Sequence, residues 1–230
     1  MEAEENMINV EGAANENPLL KVTGLSHRYG TFQALHPLNL NLYPGEIAVL
    51  EGPNGSGKST LLSCLSGLMR PTTGEIQVDG HDLYSEEIQA KRALAFVPDV
   101  PRYYIELTAW EHLRFIALAH GAGEGFDQRA ERLMKDYGLW DARDLFPHYY
   151  SRGMNLKLGI LLALIRPFKV LLLDEPTSAL DTQSVENLFQ RLKDLSSEGA
   201  SILLSTHMPH LKETLADRCY FLVDGNLQVG

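Results

Sequence analysis

Leu38, Leu40 and Leu42 alternate with Asn39 and Asn41, the period-2 pattern of a strand with one buried face. Leu20 to Leu25 and Gly74 to Gly80 read the same way, and together the three segments predict a small antiparallel sheet. Pro44-Gly45 turns the chain into a continuous apolar strand, Ile47 to Leu50. Leu61, Leu62, Leu65 and Leu68 then recur at helical spacing. The middle of the chain is helical. Thr108-Ala109-Trp110-Glu111 is a capping box that opens a helix to about His120, and Gly121 to Gly125 ends it. Further helices are predicted from about Asp127 to Tyr137 and from about Arg152 to Ile165, the latter stopped by Pro167. Beyond it the pattern alternates: strand Val170 to Leu173, helix Thr182 to Ser196, strand Ser201 to Leu204, a short helix, strand Tyr220 to Val223. Strands alternating with helices imply a mainly parallel sheet, so the helical block reads as a lobe inserted into an α/β core.

Composition narrows the classes. A chain of 230 residues suits one domain or two tightly associated lobes, with a core large enough to need no disulfide or structural metal. The net charge of −10 argues against broad nucleic-acid binding, and no basic run suggests a membrane-surface segment. Cys64 and Cys219 have no metal or redox spacing, and Cys64 falls on a predicted helix where a buried thiol is ordinary. The longest apolar run, Gly159 to Ile165, is far short of the roughly 18 residues that span a bilayer. Residues 1–18 are acidic, without a signal-peptide pattern, and are expected to be a disordered tail ahead of a domain at 19–230 with a helical subdomain at about 100–165.

Against this background Gly52-Pro53-Asn54-Gly55-Ser56-Gly57-Lys58-Ser59-Thr60 carries the chemistry. It reads GxxxxGKS between an apolar strand and an apolar-periodic helix, the context a phosphate-binding loop requires. Glycines let successive backbone N–H groups turn inward around phosphate, and the following helix aims its positive dipole end at the same anion. Lys58 is expected to reach the β- and γ-phosphates of a nucleoside triphosphate and Ser59 to sit on Mg²⁺.

Val170 to Leu173 ends in two carboxylates, Asp174 and Glu175. Alone this could be a solvated strand end. Beside a phosphate loop, Asp174 suits a hydrated Mg²⁺ and Glu175 suits proton acceptance from an attacking water. Ser151-Arg152-Gly153 opens a helix. A serine there is ordinary capping, yet a Ser–Gly helix start also makes a second anion site. Two complementary half-sites on one chain would meet nucleotide in trans, so a pair of chains could enclose two ATP molecules.

From Leu19 to Gly230 the chain resembles the nucleotide-binding subunit of an ABC transporter. Gly52 to Thr60 matches Walker A, and Leu173-Asp174-Glu175-Pro176 matches Walker B with its catalytic glutamate. Ser178-Ala179-Leu180-Asp181 matches the loop that contacts the partner chain, His207 the histidine that senses the γ-phosphate, and Tyr29 the aromatic that stacks on adenine. On its own, Tyr29 reads equally as a packed strand residue. The resemblance implies an α/β fold: a P-loop NTPase (RecA-like) core with a small antiparallel β subdomain and an inserted α-helical subdomain. It also implies an ATPase that uses ATP and Mg²⁺, pairs as a homodimer or heterodimer, and drives transmembrane permease subunits from the inner face of the cell membrane.

Two departures stand out. The family signature LSGGQ is here Tyr150-Ser151-Arg152-Gly153-Met154, keeping Ser151 and Gly153 for the partner-bound γ-phosphate while Arg152 adds charge. This form is similar to signatures of many bacterial exporter subunits. The second is Asp99 in Phe96-Val97-Pro98-Asp99, where the family has a glutamine that reaches Mg²⁺ or its water. Asp99 is expected to keep that role with altered Mg²⁺ dependence. The segment Pro101 to Glu106 follows it, where the family docks its membrane subunit, whereas Tyr103, Tyr104 and Tyr149 alone suggest packing of the helical lobe. His27, His36, His81, His112, His120, His148 and His210 show no ligand spacing. A soluble non-transport ABC ATPase acting on nucleic acid, ribosomes or cofactor assembly is the alternative function. An inactive ATP-binding regulatory subunit is a third, opposed by retention of Lys58, Asp174, Glu175 and His207.

Overall fold

The computed structural model describes residues 17–206 and 215–230. Strands β1 (Leu20–Tyr29) and β2 (Phe32–Leu42) form a long hairpin, and β4 (Thr73–Val78) and β5 (His81–Asp82) complete a four-stranded antiparallel sheet ordered β2-β1-β4-β5. The hairpin is longer than the alternation predicts. Register shifts between Val22 and Leu25, Leu25 and His27, and His27 and Arg28 interrupt the period of 2, so the half nearest the turn loses its sequence signal.

The second sheet has six strands. In addition to β3 (Ile47–Glu51), β6 (Leu94–Val97), β7 (Val170–Leu173), β8 (Ser201–Ser205) and β9 (Arg218–Val223), it has an antiparallel edge strand, β10 (Asn226–Val229). The order is β10-β9-β3-β8-β7-β6, and the five strands from β9 to β6 run parallel. Both faces are covered, which is why these strands read as unbroken apolar runs. Side chains still divide by face. Val49, Leu171, Leu173, Ile202 and Leu204 enter the core shared with the helical lobe, whereas Leu50, Val170, Leu172 and Leu203 enter the core beneath the antiparallel sheet.

Helix α1 (Lys58–Leu65) follows the phosphate loop, and α2 (Glu87–Ala93) leads directly into β6. Neither α2, β6 nor β10 is evident from periodicity. The helix-to-strand change at Leu94 occurs with no intervening breaker, at φ −112° and ψ 129°. The lobe between β6 and β7 contains α3 (Ala109–Ala119), α4 (Phe126–Asp136) and α5 (Arg152–Leu164), within a residue or so of the predicted helices. The capping box is complete: Thr108 Oγ1 accepts from Glu111 N at 3.2 Å, and Glu111 Oε2 accepts from Thr108 N at 2.8 Å. Trp110 packs edge-on against Phe126 and Trp140, at 5.1 and 5.9 Å between ring centroids. Helix α6 (Thr182–Ser197) covers the same core through Leu188, Leu192 and Leu195.

The three lobe tyrosines do not behave alike. Tyr103 packs as expected, its hydroxyl donating to Asn155 O. Tyr104 is 59% exposed yet lays its ring against His112 and Phe115 of α3, whereas Tyr149, at the end of the 3-10 turn Pro147–Tyr149, is 70% exposed and stays out of the core. Among the described residues, no helix is long and apolar enough to cross a membrane. Residues 1–16, His207 and His210 lie outside the described residues.

Candidate active site

Parallel pairing assembles the site. Val97 pairs with Leu173, Leu173 with Leu204, and Leu50 with Ser205, so β6, β7, β8 and β3 end together at one edge. The segments that leave those ends carry Asp99, Asp174–Glu175, Thr206 and the glycine-rich loop, which are distant in sequence but adjacent in space. Ligands of open α/β sheets bind at this carboxyl edge. A half-open cavity of about 340 Å³ lies there, lined among others by Tyr29, Lys58, Ser59, Asp99, Asp174 and Glu175. Asn54, Gly55, Gly57 and Thr60 also line it.

The loop geometry follows from its glycines. Gly57, the residue before α1, has φ 106°, and a Cβ there would lie 2.9 Å from Ala34 O. Only glycine takes this turn without strain. At Gly52 a Cβ would lie 2.1 Å from Leu222 O, so the loop base packs directly on β9. Gly225 N donates to Ser56 O at 3.1 Å, tying the loop to the β9–β10 turn. Lys58 is buried, and its Nζ donates to the loop carbonyls of Gly52 at 2.7 Å and Pro53 at 3.2 Å. Its ammonium is thus held over the same loop whose glycines form the cradle. Ser56 Oγ is buried with no hydrogen-bond partner among the described residues.

At the end of β7, Asp174 is buried and accepts from Ser205 Oγ at 2.6 Å, while Ser205 Oγ accepts from Glu175 N at 2.9 Å. One serine therefore orients both acidic residues. Glu175 itself has φ 47°, a left-handed conformation rare for a residue with a long side chain. Among the described residues, no three His, Cys, Asp or Glu side chains converge in a metal-holding group. Ser59 and Asp174 in one cavity suit a hard, hydrated cation that takes its remaining ligands from phosphate and water. The donor set and the glycine cradle both fit a magnesium-bound triphosphate.

Asp99 has a partner that the sequence does not reveal. Its Oδ1 accepts from Arg152 Nη2 at 3.1 Å and from Ser178 Oγ at 2.9 Å. The two departures from the family pattern are therefore ion-paired with each other.

Ser151 and Gly153 do not line the Lys58 cavity. Ser151 caps α5, its Oγ accepting from Met154 N at 3.2 Å. Gly153 lies where a Cβ would be 2.5 Å from Ala179 O, so glycine is required for α5 to approach the 178–181 loop. Asp181 caps α6 by accepting from Ser184 N at 2.9 Å, and it accepts from Lys157 Nζ at 2.6 Å. The Lys157 hydrogen bond first, then those from Ser184, hold its carboxyl well below the usual carboxylate range.

Tyr29 is 48% exposed at the cavity mouth, with its hydroxyl 3.4 Å from Thr60 Oγ1 and donating to Met69 Sδ at 3.2 Å. Its ring also meets His27 edge-on at 4.7 Å between centroids, so it is a partly packed, half-exposed strand end rather than a core residue. Phe32, its partner across the hairpin turn, is 65% exposed and lines the same mouth. Sequence reasoning missed Phe32; the available signal was an aromatic three residues beyond Tyr29 across Gly30-Thr31.

Comparison with known proteins agrees with this geometry. Residues 35–178 match the model of the family described as ABC transporter. The chain is 33% identical over 212 residues to the uncharacterized ABC transporter ATP-binding protein YdbJ of Bacillus subtilis, an alignment covering 92% of this chain and 68% of that protein. It is 37% identical over 195 residues to the phospholipid-transporting ATPase ABCA3 of Rattus norvegicus, covering 84% of this chain but spanning only 11% of that protein's length. Among solved structures, the ATP-binding subunit of an ABC transporter superposes with TM-score 0.86 at 33% identity, covering 92% of this chain and 90% of that one. An ATP-binding cassette in a dimeric post-hydrolysis state bound to ADP and Pi superposes with TM-score 0.81 at 28% identity, covering 91% and 98%. With this fold, this cavity and these relatives, the chain belongs to the ABC transporter family, as an ATP-binding cassette that hydrolyses ATP to energise transport.

Proposed function

We propose that Lys58 and the loop Gly52 to Thr60 bind the triphosphate of ATP, and that Glu175 is the base for the attacking water. The reading rests on one observation: Lys58, Ser59, Asp174 and Glu175 line one cavity at the carboxyl edge of the parallel sheet. Bound Mg²⁺ would neutralise charge on the β- and γ-phosphates. Ser59 and Asp174 would hold it, and Asp99 keeps one oxygen for its hydration shell while the other is engaged by Arg152 and Ser178. Tyr29 and Phe32 provide an aromatic face for adenine. Their exposure supports this, since both line the cavity and are about half or more exposed.

Ser151 and Gly153 belong to a second half-site, for nucleotide bound to a partner cassette, with Asp181 beside the same interface and His207 completing the cis site. The placement of Ser151 and Gly153 off the Lys58 cavity supports a site shared between two chains, and the dimeric state of the relative bound to ADP and Pi is consistent with it. We take residues 19–230 as the ATP-binding domain and about 100–165 as its helical subdomain, supported by the insertion of α3 to α5 between β6 and β7. That subdomain would dock a separate permease through Pro101 to Glu106 and hold the cassette on the inner face of the membrane. The exposed Val100, Tyr104 and Ile105 (67%, 59% and 71%) support an apolar contact there. Relatives include a macrolide export ATP-binding/permease protein of Psychrobacter cryohalolentis, and an exporter-type permease is the partner class we favour.

Glu175→Gln is expected to slow ATP hydrolysis by about 10²–10⁴ while leaving ATP binding intact. A turnover rate close to wild type would remove Glu175 from the role of base. In the same assay Asp99→Gln should shift the Mg²⁺ activation curve, and an unchanged curve would count against Asp99 in the metal shell.

A further inference from the structure

Three chain segments meet at Asp99 Oδ1. Arg152 Nη2 lies 3.1 Å from it, Ser178 Oγ 2.9 Å, and Arg152 Nη2 is also 3.3 Å from Ser178 Oγ. Asp99 leaves the end of β6 and lines the phosphate cavity with Asp174 and Glu175. Arg152 is the first residue of α5, immediately after the Ser151 cap. Ser178 closes a turn whose amide donates to Glu175 O at 3.1 Å. Two more contacts bind the same segments: Gly153 approaches Ala179 O so closely that no Cβ fits, and Lys157 Nζ lies 2.6 Å from Asp181 Oδ2. The start of α5 is thus fastened to the 178–181 loop at three places, and Arg152 extends that fastening to the cavity wall.

The electrostatics give the contact a consequence beyond packing. Asp99 is the third carboxylate lining a cavity that also contains Asp174 and Glu175, and a triphosphate entering it meets like charge. A cation bonded directly to Asp99 offsets that charge, whereas a glycine or an amide at position 152 would not. Only Oδ1 takes these hydrogen bonds, so among the described residues Oδ2 keeps its capacity to accept from water.

The geometry points to Arg152 as a positioning residue that neutralises Asp99 and joins the Ser151 end of α5, the Glu175–Ser178 turn and the nucleotide cavity of one chain into a single unit. This rests on the assignment of the Lys58 cavity to nucleotide. In this arrangement a change at either end, nucleotide in the cavity or a partner's phosphates at Ser151, is felt at the other through one hydrogen-bonded group.

The test is equilibrium binding of a fluorescent ATP analogue in EDTA and again in Mg²⁺, for wild type, Arg152→Gln, Asp99→Asn and the double variant. Arg152 is exposed, with 64% of its side-chain surface accessible, so these variants are expected to fold. In EDTA, Arg152→Gln should weaken binding about 3- to 10-fold, because the bare Asp99 carboxylate then faces the triphosphate. In the Asp99→Asn background the same substitution should change affinity less than about twofold. Mg²⁺ should shrink the Arg152→Gln defect by screening Asp99, and Arg152→Lys should recover most of it. Equal effects of Arg152→Gln in both backgrounds, no effect at all, or a lysine variant as weak as the glutamine variant would each overturn the pairing. Lys58→Ala separates the two readings. If it binds nucleotide as wild type does, the cavity assignment fails; if it loses binding while the Arg152 and Asp99 effects add, only the pairing fails.

Discussion

Glu175 holds φ 47° because the residues around it overdetermine its position: its amide is bonded to Ser205 Oγ and its carbonyl accepts from Ser178 N. A non-glycine residue in this region costs of order 1–3 kcal/mol, and such outliers gather where a side chain must be aimed. His112 is a different kind of buried polar residue. Its Nδ1 lies 2.8 Å from Thr108 O and its Nε2 accepts from Tyr104 N at 3.0 Å, an arrangement that needs the neutral ring. Burial lowers its pKa, outweighing the Thr108 carbonyl. The unfolded chain therefore takes up a proton near pH 6.5 that the folded chain refuses until lower pH. The stabilisation is complete above about 6.5 and is lost as pH falls below it. Melting curves from pH 7.5 to 5.5 should show a steeper fall for wild type than for His112→Gln, and equal slopes would remove His112 from the acid response. The sequence shows that His112 has no ligand spacing; its Thr108 partner is the helix cap four residues before it, but its Tyr104 partner depends on how the segment ahead of the cap folds back over α3.

At the scale of elements, the helices were legible where local chemistry starts them. The Thr108–Glu111 box opens α3 because cap and helix lie within four residues. Ser151 opens α5 for the same reason. Gly153 illustrates the limit. As a sequence feature it belongs to a phosphate-binding signature, while in the fold it is the point where α5 touches the 178–181 loop. Gly153→Ala should destabilise the nucleotide-free chain by about 1–3 kcal/mol, the usual cost of overpacking a close contact. Urea denaturation without nucleotide checks this, and a midpoint equal to wild type would restrict Gly153 to ligand contact. Helix α2 was illegible because seven residues give too few positions to define a period, and β6 because it continues straight from α2 with no breaker to mark its start.

For the whole molecule, Ser151 lies off the Lys58 cavity, and on the proposed reading of Ser151 as a half-site for a partner's nucleotide a complete site requires two chains. Specific ATPase activity should therefore rise with protein concentration until the dimer dominates, then level off. Rates measured across a dilution series test this together with sedimentation of the Glu175→Gln variant with and without ATP. Specific activity independent of concentration, with a monomer throughout, would mean that one chain completes its own site. The net charge of −10 adds a general repulsion between copies, so association should strengthen with ionic strength in the screened range.

The sequence alone determined the phosphate loop, the acidic end of β7, the helical insertion and the parallel character of the core, because each depends on residues close together in the chain. Period, cap and glycine spacing are local properties, and the chain states them directly. Only the tertiary structure decided that Asp99 pairs with Arg152 and that Ser205 orients Asp174 and Glu175. Those contacts join segments separated by up to 53 residues, and their distances are set by strand order and register, which place β6, β7, β8 and β3 side by side. A charge on a loop becomes part of a site only when the sheet brings its partner within reach.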